Sequence, residues 1–194
     1  LVLKGVEEVV TRKAIINEFS QGPNGTQDWV EILVLQGGSL AGMQLTESGG
    51  ASLTFNNALW NNVPAGTLIV VHRDGGGQKD SIIPAMDTNA SDGLLIVPAS
   101  STYFTLNPGW IILDSDGDSI SFKSSSAGSA IHSLSFGSNG DFPLHVGDVP
   151  GGRSAYFAGG KDLDANSAAN WGTAPAAAGS TASAASQATL SAPP

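Results

Sequence analysis

The sequence predicts an all-β protein of the sandwich class, and three observations carry that prediction. Many short apolar runs are separated by turn-forming residues, which is typical of a sandwich or barrel. Several runs place apolar side chains at every second position, the period of a β-strand. No long segment shows the 3.6-residue period of an amphipathic helix. A chain of 194 residues with 41% hydrophobic residues is long enough for one such domain with a real core.

The first hairpin is predicted between residues 14 and 35. Its second run, 29–35, alternates and contains β-branched and aromatic residues, and the run 15–19 precedes it. Gly-Pro-Asn-Gly at 22–25 supplies the turn, because proline presets φ and Asn-Gly tolerates positive φ.

Further strands follow along the chain. The near-continuous apolar run at 67–72 favours a central strand. The other candidate strands lie at 40–46, 52–55, 81–83, 94–97, 103–106, 110–113, 119–122 and 131–136.

Both ends differ from the centre, so the sandwich is assigned to residues 13–164. Residues 1–12 mix apolar and charged residues and form an N-terminal extension, either an edge strand on its own domain or a strand donated to a neighbouring subunit. Val2 and Val6 are the candidate partner contacts of a donated strand. Residues 165–194 are uncharged and rich in Ala and Ser, which predicts a tail or linker; packing along the sandwich or a partner is the alternative. A first residue Leu1 fits a removed signal peptide or a fragment.

Charge and composition argue against several classes of partner. The net charge is −9, from 17 acidic and 8 basic residues, so we expect no nucleic-acid binding. No apolar run reaches the length of a membrane span, so we expect no membrane insertion. The chain has no cysteine, which excludes disulfides and thiolate zinc sites.

The residues do not predict an enzyme, a catalytic residue or a bound organic cofactor. The common histidine and serine motifs are absent, and His72, His132 and His145 are predicted to lie at the surface or at strand ends. Glu18 and Glu31 fall on neighbouring strands, where paired carboxylates can perform acid–base chemistry. We expect them instead to accept hydrogen bonds from the backbone or from a Trp, because nothing in the sequence supplies a cleft.

The best metal-ligand cluster is Asp114, Asp116 and Asp118, with Gly117 to bend the chain. Calcium takes about six to eight oxygen ligands, and alternate carboxylates can supply some of them. The spacing is not that of an EF-hand. The alternative is an Asp-Gly hairpin turn between strands at 110–114 and 118–122.

Trp60 is the aromatic residue predicted to be exposed, because it lies in a polar, Asn-rich stretch. There it would contact a partner or a glycan. The alternative is a lid over the open end of the sandwich.

Six short motifs occur in order along the chain: I-N-E at 16–18, W-V-E-I at 29–32, L-x-G-x-x-L at 40–45, L-T-F at 53–55, P-x-G at 64–66 before the strand at 68–71, and G-D-S-I-x-F at 117–122. Their order and spacing resemble the lamin tail domain family in its bacterial form. The resemblance is good over 14–72 and weaker to about 148.

The resemblance implies an immunoglobulin-like antiparallel β-sandwich that binds or scaffolds outside the cell rather than catalysing a reaction. We therefore expect an extracellular or cell-surface structural module, with self-assembly into a filament or layer as an option. Its partners would be copies of itself or neighbouring domains of a longer chain. The alternative is an accessory domain that binds substrate or cell wall for a secreted hydrolase.

Overall fold

The structure is a computed structural model that describes residues 13–21, 28–73, 85–107, 113–114, 116–159 and 165–175. The helices of this part are single 3₁₀ turns of three or four residues, and none is long enough to cross a membrane. They lie at Ala58–Asn61, Ala90–Asp92 and Ala168–Asn170. The strands are β1 Ala14–Ser20, β2 Trp29–Val34, β3 Gln44–Glu47, β4 Ser52–Phe55, β5 Leu68–His72, β6 Leu94–Pro98, β7 Phe104–Asn107, β8 Ser119–Lys123, β9 Ala130–Ser135, β10 Arg153–Phe157 and β11 Trp171–Pro175.

The strands form two packed sheets, so the prediction of an all-β sandwich is confirmed. One sheet has the order β11-β10-β1-β2-β5-β6, and the other has the order β7-β4-β3-β8-β9. Nearly all described pairings are antiparallel, as predicted. Among the pairs of described strands, the exception is β5 with β6, which run parallel. They are joined by residues 73–93, a connection long enough for the crossover that parallel neighbours need.

The predicted first hairpin and central strand are both present. β1 pairs antiparallel with β2, and its register shifts at Asn17, which forms a β-bulge. β5 lies between β2 and β6, as its continuous apolar sequence predicts. The turn at 22–27 lies outside the described residues.

The core between the sheets combines aliphatic and aromatic side chains from both. Phe55 contacts Trp60, Phe104 and Phe122, with ring centroids 4.8, 5.1 and 5.6 Å away. Edge-to-face contacts of this kind add to the free energy gained by burying the rings.

In the centre of the six-stranded sheet, the outer face is buried as well as the inner face. Every residue of β1 and β2 is buried. On the outer face, Ile15, Leu33 and Leu68 form an apolar cluster with Phe157 and Ala165, and Trp29, Val70 and Ile96 form a second one.

Residues 171–175 pair within the sandwich, which favours the alternative of packing along the sandwich over a free tail for this part of the segment 165–194. β11 extends the six-stranded sheet by pairing with β10 along its whole length. Trp171 also contacts the rings of Phe19 and Phe157, at 6.4 and 6.1 Å. Composition does not reveal such a strand, because an edge strand needs few apolar residues. Residues 176–194 and 1–12, including Val2 and Val6, lie outside the described residues.

Candidate functional site

A buried carboxylate, Asp28, joins three chain segments at one end of the sandwich. It directly precedes β2, and Arg73 directly follows β5, so the antiparallel pair Trp29–His72 places them side by side. The Arg73 backbone N–H donates to the Asp28 carbonyl oxygen at 2.8 Å. The third segment enters through Leu113, whose N–H donates to Asp28 Oδ2 at 3.2 Å.

The Asp28 side chain faces a small recess between the sheets. Its walls are mostly apolar, and its enclosed part has room for about one water molecule. The side chain is 2% exposed, and Oδ2 lies 3.8 Å from Arg73 Nη1. Oδ1 has no hydrogen-bond partner among the described residues. The recess is lined by Asp28, Trp29, Val30, Leu45, Val71, His72, Arg73, Ala99 and Leu113.

Burial raises the pKa of Asp28 from 3.8 to about 7, because the charged form loses its hydration. The hydrogen bond from Leu113 and the charge of Arg73 lower this pKa, and the nearby Asp118 carboxylate raises it. Burial changes the pKa of Asp28 more than the charge of Arg73 does. The Asp28 carboxyl group therefore titrates near neutral pH.

Asp118 lies close by and is 1% exposed, but its carboxylate is used by the main chain. Oδ1 accepts from the N–H groups of Ser48 at 3.1 Å and Ser119 at 2.6 Å. Oδ2 accepts from the N–H of Asp114 at 3.2 Å. Such bonds order the backbone around the start of β8.

The predicted calcium site at Asp114, Asp116 and Asp118 is not formed. Asp114 and Asp116 are exposed, and Asp114 Oδ1 accepts the N–H of Asp116 at 3.1 Å, in a local turn. Asp118 points inward. Among the described residues, no three acidic or histidine side chains converge as metal ligands would.

The alternative of an Asp-Gly hairpin at 116–117 is also wrong. β8 begins at Ser119 and has β3 and β9 on its two sides. Residues 116–118 pair instead with the segment after β9: the Ser138 N–H donates to the Asp116 carbonyl at 2.8 Å. Gly117 is required there, because its φ is +133° and a Cβ would meet the Ser138 nitrogen. Residues 110–112 lie outside the described part.

Glu18 and Glu31 face each other across β1 and β2 on the outer face of the six-stranded sheet. Both are fully buried. Ser154 Oγ donates to Glu18 Oε1 at 2.5 Å, and Asn17 Nδ2 donates to Glu31 Oε1 at 2.7 Å. They are hydrogen-bond acceptors, as expected, but the donors seen are side chains of Ser and Asn. A substrate in solution cannot reach them.

His132 joins the two sheets, so its predicted position at the surface is wrong. It is 2% exposed. Nδ1 accepts the backbone N–H of Ile16 at 3.1 Å, which places the proton of the neutral ring on Nε2, 3.4 Å from the Ala165 carbonyl. Trp171 stacks on the ring with a centroid distance of 6.3 Å and an interplanar angle of 9°.

The prediction that Trp60 is exposed is wrong too. Its side chain is 0% exposed, and Nε1 donates to the Tyr103 carbonyl at 2.7 Å. The ring stacks on Phe104, with centroids 5.2 Å apart. Trp60 lies in the 3₁₀ turn Ala58–Asn61, and the Asn57 side chain caps the start of this turn by accepting from the N–H of Leu59. Trp60 is therefore a core residue, unavailable to a partner.

Sequence reasoning missed the Asp28–Arg73 pair. A signal was present, because an acidic residue precedes one strand and a basic residue follows another. These positions meet only if the two strands pair antiparallel in this register, which local patterns do not specify.

Comparisons of the chain with protein-family models, with curated proteins and with solved structures find no match.

Proposed function

We propose that this protein is a non-enzymatic, extracellular structural module of the lamin-tail, immunoglobulin-like type, and that it associates with copies of itself. The main support is the edge strand β11. Within the described residues, it ends the six-stranded sheet and carries no charged residue. An edge strand presents unpaired backbone groups that can accept a further strand.

The other edges of the two sheets offer fewer unpaired backbone groups to a further strand. Asp87 exchanges two backbone hydrogen bonds with Ile96 along the edge of β6 that faces away from β5. His145 forms a bridge with Ser135 at the end of β9. β7 has only four residues. On β11, one backbone group already has a partner: the Arg153 side chain donates to the Thr173 carbonyl at 3.0 Å.

The described surface favours association through a strand edge over association through an apolar face. Met86 is the large hydrophobic side chain exposed in this part of the chain, at 55%. Isolated exposed apolar residues are normal on a monomer and do not make an interface. Backbone pairing needs no such patch.

The buried polar groups support a module without catalysis. Glu18, Glu31, Asp118 and His132 are each engaged in hydrogen bonds that hold the fold together. Each of these four residues is at most 2% exposed.

The test is the solution mass by light scattering at micromolar concentrations. We expect masses above the monomer for the wild-type chain and a smaller mass for Thr173→Lys, because a charge on an edge strand opposes strand addition. The matched control is Thr105→Lys, on the edge strand β7 of the other sheet, which should associate like the wild type. Both threonines are exposed.

Two further variants test the N-terminal strand. If residues 1–12 are donated to β11 of a neighbour, deleting them or introducing Val2→Asp with Val6→Asp should also yield monomers. A wild-type chain that is monomeric at every concentration would contradict self-association and favour the accessory-domain alternative.

A further inference from the structure

We propose that Asp28 is a proton-binding site that controls how firmly three chain segments are tied together at one end of the sandwich. The three segments are the start of β2, the residue after β5 and the residues before β8. Asp28 contacts all three: it belongs to the first, bonds Arg73 of the second and accepts from Leu113 of the third.

The ionised carboxylate is poorly compensated in this position. Arg73 is the cation that faces it in the described part, and the closest approach is 3.8 Å, longer than a good charge-assisted hydrogen bond. Asp118 adds a second negative charge on the β8 side, and His72 lines the recess from β5. A buried charge with one distant partner is costly.

Protonation removes that cost without breaking the tie to Leu113. Oδ2 accepts from the Leu113 N–H, whereas Oδ1 has no partner among the described residues. The proton therefore belongs on Oδ1, so that Oδ2 keeps the hydrogen bond from the Leu113 N–H. The neutral acid keeps its contacts and needs no counterion.

Ionisation favours opening instead, because the carboxylate regains its hydration only by leaving the recess. The pKa is about 7 when Asp28 is buried and 3.8 when it is free in water. The closed form is thus favoured most below the lower value. The opening constant rises about tenfold per pH unit between the two values and levels off above about 7.

The first experiment measures hydrogen exchange of the Leu113 amide in the full chain from pH 5 to 9, corrected for intrinsic exchange. We expect its protection to fall about tenfold per unit up to about pH 7 and then to stay constant. The Ser119 amide, which bonds to Asp118, is the internal control and should not follow this curve. If the protection of the two amides changed with pH in the same way, the proposal that Asp28 controls the contact with Leu113 would be wrong.

Asp28→Asn tests the same proton-binding site, because asparagine has the same shape, carries no charge and can still accept the hydrogen bond from the Leu113 N–H. It should remove the pH dependence of Leu113 protection, whereas Asp148→Asn, at an exposed aspartate, should retain it. Because each variant differs from the wild-type chain at one carboxyl group, the comparison separates the pH effect of Asp28 from that of every other group. An Asn variant that keeps the wild-type curve would contradict the proposal.

A direct titration covers the case in which Asp28→Asn fails to fold. The carboxyl carbon of Asp28 in the wild-type chain should titrate near pH 7 by NMR, and Arg73→Gln should move its midpoint upward, because the compensating charge is lost. A wild-type midpoint near pH 4 would overturn the proposal.

Discussion

The outer faces of the two sheets differ in the polarity of their side chains and in how deeply those side chains are buried. On the five-stranded sheet, the outward side chains are Gln, Thr, Ser and Lys, which bond to one another: Gln44 Nε2 donates to Thr54 Oγ1 at 2.7 Å, and the hydroxyls of Ser121 and Ser133 lie 2.7 Å apart. On the six-stranded sheet, the outward side chains include large apolar groups and two buried carboxylates.

This difference shows where each sheet derives its stability. The outward polar side chains of the five-stranded sheet bond to one another, and a hydrogen bond that replaces one to water contributes little net free energy, so this sheet depends mainly on its inner face. The centre of the six-stranded sheet is buried on both faces, and each polar group placed there must find a partner within the protein. Substitutions on its outer face should therefore have core-like effects.

The largest expected effect is that of Leu33→Ala. Leu33 is 0% exposed on the outer face of β2, and the substitution should lower the free energy of unfolding by about 2–5 kcal/mol. Thr46→Ala, on the outer face of β3, should lower it by less than about 1 kcal/mol. Denaturant unfolding at one pH measures both. Equal, small losses would mean that the two outer faces are energetically alike.

An intermediate effect is expected for Asn17→Ala. Asn17 donates to the buried Glu31 carboxylate, and removing a hydrogen bond to a charged group should lower the free energy of unfolding by about 1.5–3 kcal/mol. Asn56→Ala is the matched control, because Asn56 is exposed and donates to Thr105 at 3.0 Å beside the five-stranded sheet. Its loss should stay within about 0.5 kcal/mol. A control that loses as much as Asn17→Ala would remove the distinction between the sheets.

A smaller effect is expected for His132→Phe, which retains a ring to stack on Trp171. The buried N–H of Ile16 loses its acceptor, so the free energy of unfolding should fall by about 1–3 kcal/mol. His145→Phe, at an exposed position, should change it by less than about 0.5 kcal/mol. If thermal and denaturant unfolding leave the two variants indistinguishable, the link between the sheets through His132 is not a stabilising contact.

Sequence patterns predicted well wherever local side-chain alternation determines the structure. The alternation in 131–136 and the continuous apolar run at 67–72 lead to β9 and β5. The two kinds of pattern even anticipate the contrast between the sheets, because a strand buried on both faces reads as a continuous apolar run.

The errors share a cause, which is that local polarity does not determine burial. Trp60 lies among asparagines, yet it belongs to a 3₁₀ turn capped by Asn57 and Asn62, and its indole is buried in the core. Asp118 lies in an acidic cluster, but its carboxylate accepts hydrogen bonds from backbone N–H groups. One of these belongs to Ser48, which is distant in sequence. Residues 171–175 have the composition of a linker and nevertheless complete a sheet.

The sequence by itself determined that this protein is built of strands, which side chains of the inner strands face the core, and where the first hairpin forms. These properties follow from the two-residue period of a strand and from turn chemistry, both of which act over a few residues. Only the tertiary structure decided the strand order, the parallel pair β5–β6, the burial of a second sheet face and the meeting of Asp28 with Arg73 and Leu113. Those depend on contacts between residues far apart in the chain, for which a single sequence carries no local signal.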